Sequence, residues 1–358
     1  MRKLTLPGLA AACALALGAM PAAAQVTTEV PAVVEGAAKA RVEHLKVHSD
    51  EIAGNLLGTS AERDVFVVLP PSYDKEPGRR YPVVYALHGY SIGAEQWLGE
   101  IHVPQVAEGA FAKGTPEMIL VFPSSKNEYN GAFYANSVTT GNFENWIAGE
   151  LIDYVDSHYR TLAQPASRGL VGHSMGGYGA SRIGIKRADM YGALYLMSPC
   201  CQSPLGVRGM TGEQVRQLEA IGSVEESEAL PFGLRGPLAI SAAFAPNPNK
   251  PPLYLDLPVD ADGKPRPDVL AKFDANAPLA FLDQYVFKVR KYRAIAMDVG
   301  DEDGLLTDTR LMHEALLAQG IANDFEIYHG NHTNRVAFRM QDHVLPFFGK
   351  SLAFEMQQ

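Results

Sequence analysis

The chemistry of this chain is centred on Ser174. It stands in the middle of Gly172-His173-Ser174-Met175-Gly176, a G-x-S-x-G pattern that has meaning only where a strand runs into a sharp turn and then a helix. The flanks meet that condition. An apolar run ends at Gly172, a helical stretch opens after Ser174, and Gly172, Gly176 and Gly177 let strand and helix approach closely. The alternative is an incidental turn serine. As a nucleophile, a serine hydroxyl needs a neutral imidazole to take its proton and a buried carboxylate to hold that imidazole in the correct tautomer. It also needs donors for the oxyanion that develops on the substrate. One is the backbone N–H after the nucleophile, here Met175. The other comes from the loop after an earlier strand, where Val83-Val84-Tyr85-Ala86-Leu87-His88-Gly89-Tyr90 supplies the N–H of Tyr90, with Gly89 as the near alternative.

Acid and base are expected later in the chain, in the order Ser, Asp or Glu, His. The acidic loop after Ala294 to Met297 offers Asp298, Asp301, Glu302, Asp303 and Asp308. The alternating run Asp324 to Tyr328 leads into His329-Gly330-Asn331-His332. A divalent metal held by Asp301, Asp303, His329 and His332 is a rival reading, but it leaves the serine elbow and the oxyanion loop without a purpose. No metal and no cofactor is expected. His88 is read as a brace for its loop, and His173 as a packing residue beside the nucleophile.

The elements that must position these groups follow from the hydrophobic pattern. Val83 to Leu87, Met118 to Phe122, Leu170 to Gly172, Ala193 to Met197 and Ala294 to Met297 are short, nearly all-apolar runs, which suit strands buried on both faces of a parallel sheet. Residues 41–48 alternate, and Arg63 to Leu69 forms a second β-rich run stopped by Pro70 and Pro71, which predicts an antiparallel start. Helical stripes over Phe143 to Ser157 and Arg310 to Gln319 complete an α/β pattern, mostly parallel and doubly wound. Residues 202–290 break it. Proline clusters there surround one short helix from about Thr211 to Gly222, so the segment reads as a lid-like insertion in a domain spanning 41–358.

Residues 1–24 have the form of a signal peptide: Arg2 and Lys3, an apolar run from Leu4 to Met20, and the small-residue site Ala22-Ala23-Ala24 before Gln25. That run, interrupted by Pro7, Gly8 and Gly18, falls short of a membrane span. The expectation is an exported protein, periplasmic or extracellular, with residues 25–40 as a flexible leader. Losing Arg2 and Lys3 takes the formal charge from −9 to −11, so nucleic acid and anionic membranes are poor partners. Cys200 and Cys201 would be the remaining cysteines; adjacent thiols cannot staple distant segments, and packing is their expected role.

The strand with His88-Gly89, the elbow continuing through Gly177-Tyr178-Gly179-Ala180, the stretch Tyr134-Ala135-Asn136-Ser137 and the loop Asp298-Val299-Gly300-Asp301-Glu302-Asp303 together resemble the esterase D family of α/β-hydrolases. Its members include feruloyl and acetyl xylan esterases, S-formylglutathione hydrolases, siderophore esterases and mycolyltransferases. The resemblance implies the α/β-hydrolase fold. It places the acid on Asp303 and the base on His332, ahead of Asp301 and His329. The activity it implies is a carboxylesterase working through an acyl-enzyme on Ser174, on esters with a small or aromatic acyl group. Trp97, Tyr90, Phe133 and Tyr134 are candidates to line the acyl pocket. Rival readings are acyl transfer to a sugar or other alcohol, and a non-catalytic binding protein on the same fold.

Overall fold

The structure is a computed structural model that describes residues 26–204 and 210–356; the signal peptide expected over 1–24 lies outside the described residues. Eight strands form one sheet: β1 (Arg41–His48), β2 (Glu62–Leu69), β3 (Val83–Leu87), β4 (Ile119–Pro123), β5 (Arg168–His173), β6 (Ala193–Met197), β7 (Ala294–Gly300) and β8 (Asp324–Tyr328). Their spatial order is β1-β2-β4-β3-β5-β6-β7-β8. β1 pairs antiparallel with β2 and β2 antiparallel with β4, and the remaining neighbours are parallel. The chain leaves β3 for β4 on one side and then crosses to β5 on the other. The loops after β3 and β5 therefore diverge from adjacent strands and open a crevice above their C-terminal ends, the place where doubly wound sheets bind ligands.

Successive residues of a strand point to opposite faces, and each face carries its own core. Val83, Tyr85 and Leu87 join Leu170, Leu194 and Met297 in one cluster, under helices Phe143–Ala148, Glu150–His158 and Met175–Lys186. Val84 and Ala86 join Val171, Tyr195 and Ala296 in the other, under helices Ala94–Glu100, Val103–Ala112 and Leu345–Ser351. The single helix expected over Phe143 to Ser157 is broken at Gly149, whose φ of −136° and ψ of −94° leave the helical region. Ile147, Leu151 and Val155 are nonetheless all buried in the first cluster.

Two expectations need correction. The leader is tied down: the N–H of Val26 donates to Glu100, that of Glu29 to the Asn334 carbonyl, and that of Ala40 to Glu108, while Lys39 pairs with Glu108. The insertion holds several helices, not one: Gly212–Glu219, Phe232–Phe244, Pro267–Asp274 and Pro278–Val289. It shares the first core cluster through Val215, Leu218, Leu238, Phe273 and Phe281, so it is part of the same domain.

A buried ion pair joins the helix after the elbow to helix Phe143–Ala148, and its arginine also holds the insertion. Arg182 Nε donates to Glu144 at 2.6 Å and Nη1 to Asn276 Oδ1 at 2.6 Å, and the Tyr178 hydroxyl donates to the Asn276 carbonyl at 2.8 Å. The side chains of Arg182 and Glu144 are 6% and 9% exposed, so removing one partner strands a buried charge. Glu144→Ala is expected to lower the unfolding free energy by about 3–5 kcal/mol in urea titrations. Glu213→Ala, which breaks the exposed pair with Arg216, should leave the midpoint nearly unchanged. Equal small effects of the two would show that the Arg182 pair does not hold this region.

Candidate active site

β5 ends at His173 and the helix Met175–Lys186 begins one residue later, leaving Ser174 alone in the turn with φ 59° and ψ −115°. The close approach is possible because a Cβ on Gly176 would lie 1.9 Å from the Leu87 carbonyl oxygen. The turn is pinned on both sides: the Ser174 N–H donates to the Met197 carbonyl at 3.0 Å, and the Ser174 carbonyl accepts from Tyr178 N–H at 2.9 Å and Cys200 N–H at 3.2 Å.

The turn aims the hydroxyl at a histidine. Ser174 Oγ lies 2.9 Å from His332 Nε2, and His332 Nδ1 lies 2.8 Å from Asp303 Oδ2. The carboxylate can only accept at neutral pH, so the proton of a neutral His332 sits on Nδ1 and Nε2 is free to accept from the serine. Asp303 also accepts the Leu305 N–H at 2.9 Å. Burial pushes its carboxyl up, but the hydrogen bond and charge of His332 and the Leu305 N–H outweigh it and hold the group below the ordinary carboxylate value. The loops carrying acid and base can meet because of Gly300 at the end of β7, where a Cβ would stand 2.1 Å from the Gly330 carbonyl oxygen. This glycine serves close packing; its φ is not among the positive ones.

The other acids of the loop are engaged elsewhere. Asp298 is buried and accepts from Arg339 Nε and the Tyr195 hydroxyl, each at 2.7 Å. Asp301 is exposed, accepts the Gly330 N–H at 3.0 Å and pairs with His329. Asp308 accepts from Gln202 N–H and Ser203 Oγ, anchoring the start of the insertion. Among the described residues the cluster able to hold a metal is Asp301, Glu302 and His329, all exposed, which shares no member with the Ser174, His332 and Asp303 chain. Cys200 and Cys201 are free thiols with Sγ atoms 2.8 Å apart.

The loop after β3 runs directly beside Ser174: a Cβ on Gly89 would lie 3.5 Å from Ser174 Cβ. His88 braces it. Its Nδ1–H donates to the Gly89 carbonyl at 2.8 Å, and its Nε2 accepts the Ser125 N–H at 2.9 Å. Tyr134 belongs to the same brace and not to the pocket wall: it is fully buried and its hydroxyl donates to the His88 carbonyl at 3.0 Å. Trp97 is also corrected. It is fully buried against Phe122 in the core on the opposite face of the sheet from Met175 and Tyr178, and offers no surface to a ligand. Aromatic type alone carried no signal for which face it would take. The Tyr90 ring instead contacts Phe133 at 5.9 Å between centroids, and Gly131 leaves room between Tyr90 and the Met175 sulfur. The remaining brace is His173, whose Nε2–H donates to the His332 carbonyl at 2.8 Å, with the two rings 4.7 Å apart.

Both braces are neutral imidazoles. Burial lowers His88 to about 4; burial, with the nearby His332 second, lowers His173 to about 3. In the unfolded chain both would protonate near the ordinary histidine value of about 6.5. A depressed folded value means that the unfolded state binds more protons once the pH falls below about 6.5, so stability is present above that pH and is lost below it. Unfolding free energies measured by urea from pH 6.5 to 4.5 should fall, by up to about 1.4 kcal/mol per pH unit for each histidine. His88→Gln and His173→Gln should each flatten that slope. A flat profile in the native protein would mean that these imidazoles charge within the fold.

The residues 58–353 match the family model described as putative esterase. An esterase of Mycobacterium tuberculosis is 30% identical over 126 residues, which make up 34% of this chain and 26% of that protein. An endo-1,4-beta-xylanase/feruloyl esterase of Xylanibacter ruminicola is 28% identical over 137 residues, 37% of this chain and 19% of that protein. The matched stretch thus spans well under two thirds of these curated relatives. Among solved structures, a ferulic acid esterase superposes with a TM-score of 0.62 at 22% identity, covering 88% of this chain and 99% of that one. An S-formylglutathione hydrolase from Staphylococcus aureus gives 0.54 at 16% identity, covering 88% and 99%. The two superpositions establish the α/β-hydrolase fold. With a family model matched from just before β2 to the last helix, the chain belongs to the putative esterase family.

Proposed function

We propose that the protein is a serine carboxylesterase that forms an acyl-enzyme on Ser174. The observation that carries this reading is the continuous line from Ser174 Oγ through His332 to a buried Asp303, at 2.9 and 2.8 Å, in the crevice beside the oxyanion loop. His332 Nε2 takes the hydroxyl proton as Oγ bonds to the ester carbonyl carbon. The carbonyl electron pair moves to oxygen, where the N–H of Met175 and that of Tyr90 or Gly89 receive it. Collapse breaks the bond to the alkoxy oxygen, which leaves as the alcohol with the proton from Nε2, and water repeats the sequence to release the acid. Asp303 keeps its charge throughout and holds the imidazole.

The Tyr90 ring, which faces the Met175 sulfur across Gly131, supports an acyl group that is small or aromatic, and the ferulic acid esterase among the structural relatives acts on an ester of that kind. S-formylglutathione is a weaker candidate, because Arg2, Lys3 and the apolar run that follows support export, and that detoxification is expected inside cells.

Ser174→Ala should leave only the residual rate that binding and the oxyanion donors provide, and an organophosphonate should label one serine per chain in the wild type. Asp303→Asn should lower kcat for a short aryl ester by at least about 10²-fold, because the imidazole then rests in the wrong tautomer. Asp301→Asn, which breaks only the exposed contact to His329, should change kcat little. Near-normal turnover by Asp303→Asn together with loss in Asp301→Asn would reassign the acid.

A further inference from the structure

The insertion helix Phe232–Phe244 packs along its length into the domain and meets the oxyanion loop at its first turn. Leu234, Leu238, Ala239 and Ala242 enter the core. At its N-terminal end Phe232, Arg235 and Gly236, three and four positions apart, fall on one stripe, and the two that flank Arg235 on it meet the oxyanion loop. The Phe232 ring stands edge-on to Tyr90 with centroids 5.8 Å apart, and a Cβ on Gly236 would lie 4.0 Å from Tyr90 Cε1. Tyr90 follows Gly89, whose own contact with Ser174 is described above. Arg235 stands in the same turn as these two contacts, close enough for its charge to oppose the upward push that burial gives the Tyr90 phenol.

Arg235 differs from the other sheltered arginines. Arg168 is paired with Asp156, Arg182 with Glu144, and Arg339 with Asp298 and Glu326, while Arg63, which has no ion pair among the described residues, donates to the carbonyls of Ser60, Ser124 and Lys126. Among the described residues Arg235 has no ion pair and no side-chain hydrogen bond, and its Nε is shielded from water without a partner. The chain has 40 Asp and Glu against 31 Lys and Arg, so acids are not in short supply. Shielding a guanidinium N–H without an acceptor costs free energy that a ligand oxyanion would recover, and the planar fork of donors fits a carboxylate or phosphate.

We infer that Arg235 is a specificity residue that receives an anionic group on the substrate, so that the enzyme favours esters bearing a carboxylate or phosphate over neutral esters of the same size. This rests on the esterase reading above and sharpens its substrate class.

The test compares kcat/KM within matched pairs, so that the neutral ester is the reference for each variant. para-Nitrophenyl hemisuccinate against para-nitrophenyl butyrate places the anion on the acyl part. para-Acetoxybenzoate against para-acetoxybenzamide places a carboxylate on the alcohol part, and para-acetoxyphenyl phosphate places a phosphate there. The wild type should prefer the anionic member in at least one comparison. Arg235→Met should reduce that preference by about tenfold or more, Arg235→Lys should restore part of it, and added salt should weaken it. An unchanged ratio in Arg235→Met for every pair, with neutral esters still hydrolysed, would overturn the inference and leave the esterase reading intact. If the wild type hydrolyses no ester, the esterase reading falls. Calorimetric titration of succinate, para-hydroxybenzoate and inorganic phosphate into the wild type and Arg235→Met then decides the anion site: weaker binding by the variant supports it, and equal or absent binding overturns it.

Discussion

The structure depends on one backbone constraint, the left-handed conformation of Ser174. A residue other than glycine held at φ 59° costs on the order of 1–3 kcal/mol, so the surroundings must over-determine it. They do so through the next two strands. Ser174 N–H donates to Met197, the last residue of β6, and Ser198 N–H donates to the Asp298 carbonyl in β7. The same register that fixes Ser174 thus fixes the strand from which the Asp303 loop departs. His332 is held from the other direction by His173, which sits immediately before Ser174 and grips the His332 backbone. Serine, base and acid come from different loops, yet each is referenced to the β5–β6–β7 ladder.

Electrostatics separates the roles of similar side chains. Asp298 and Asp303 are both buried carboxylates on one strand and its loop. Asp298 is neutralised by Arg339, which also reaches Glu326, and so serves the sheet. Asp303 has an imidazole for its partner, a group whose charge can change during a reaction. His88 and His173 are depressed by burial and act as fixed donors and acceptors, whereas the His332 side chain is 36% exposed at the crevice and joined to both serine and carboxylate.

Much of this was legible in the sequence, for identifiable reasons. Strands buried on both faces leave runs such as Val83 to Leu87 that admit few other readings, and the elbow needs its glycines because a Cβ on Gly176 would stand 1.9 Å from the Leu87 carbonyl oxygen. The misreadings occurred where long-range partners decide. Local composition reads the leader as flexible because Glu100 and Glu108, which hold it, lie far along the chain. Gly233, Gly236 and Pro237 hid the helix Phe232–Phe244, which packing and not propensity stabilises. Nothing local distinguished Trp97, a core residue, from Tyr90, which borders the crevice. Arg235 gave no signal at all, because an arginine is notable only when its surroundings offer it no acid.

The most direct test of the central claim is to trap the acyl-enzyme. Rapid acid quenching during turnover of a para-nitrophenyl ester, followed by peptide mapping by mass spectrometry, should find the acyl group on Ser174 at up to one per chain, matching a burst of released nitrophenol. Steady turnover with no burst and no acylated Ser174 peptide would contradict the account.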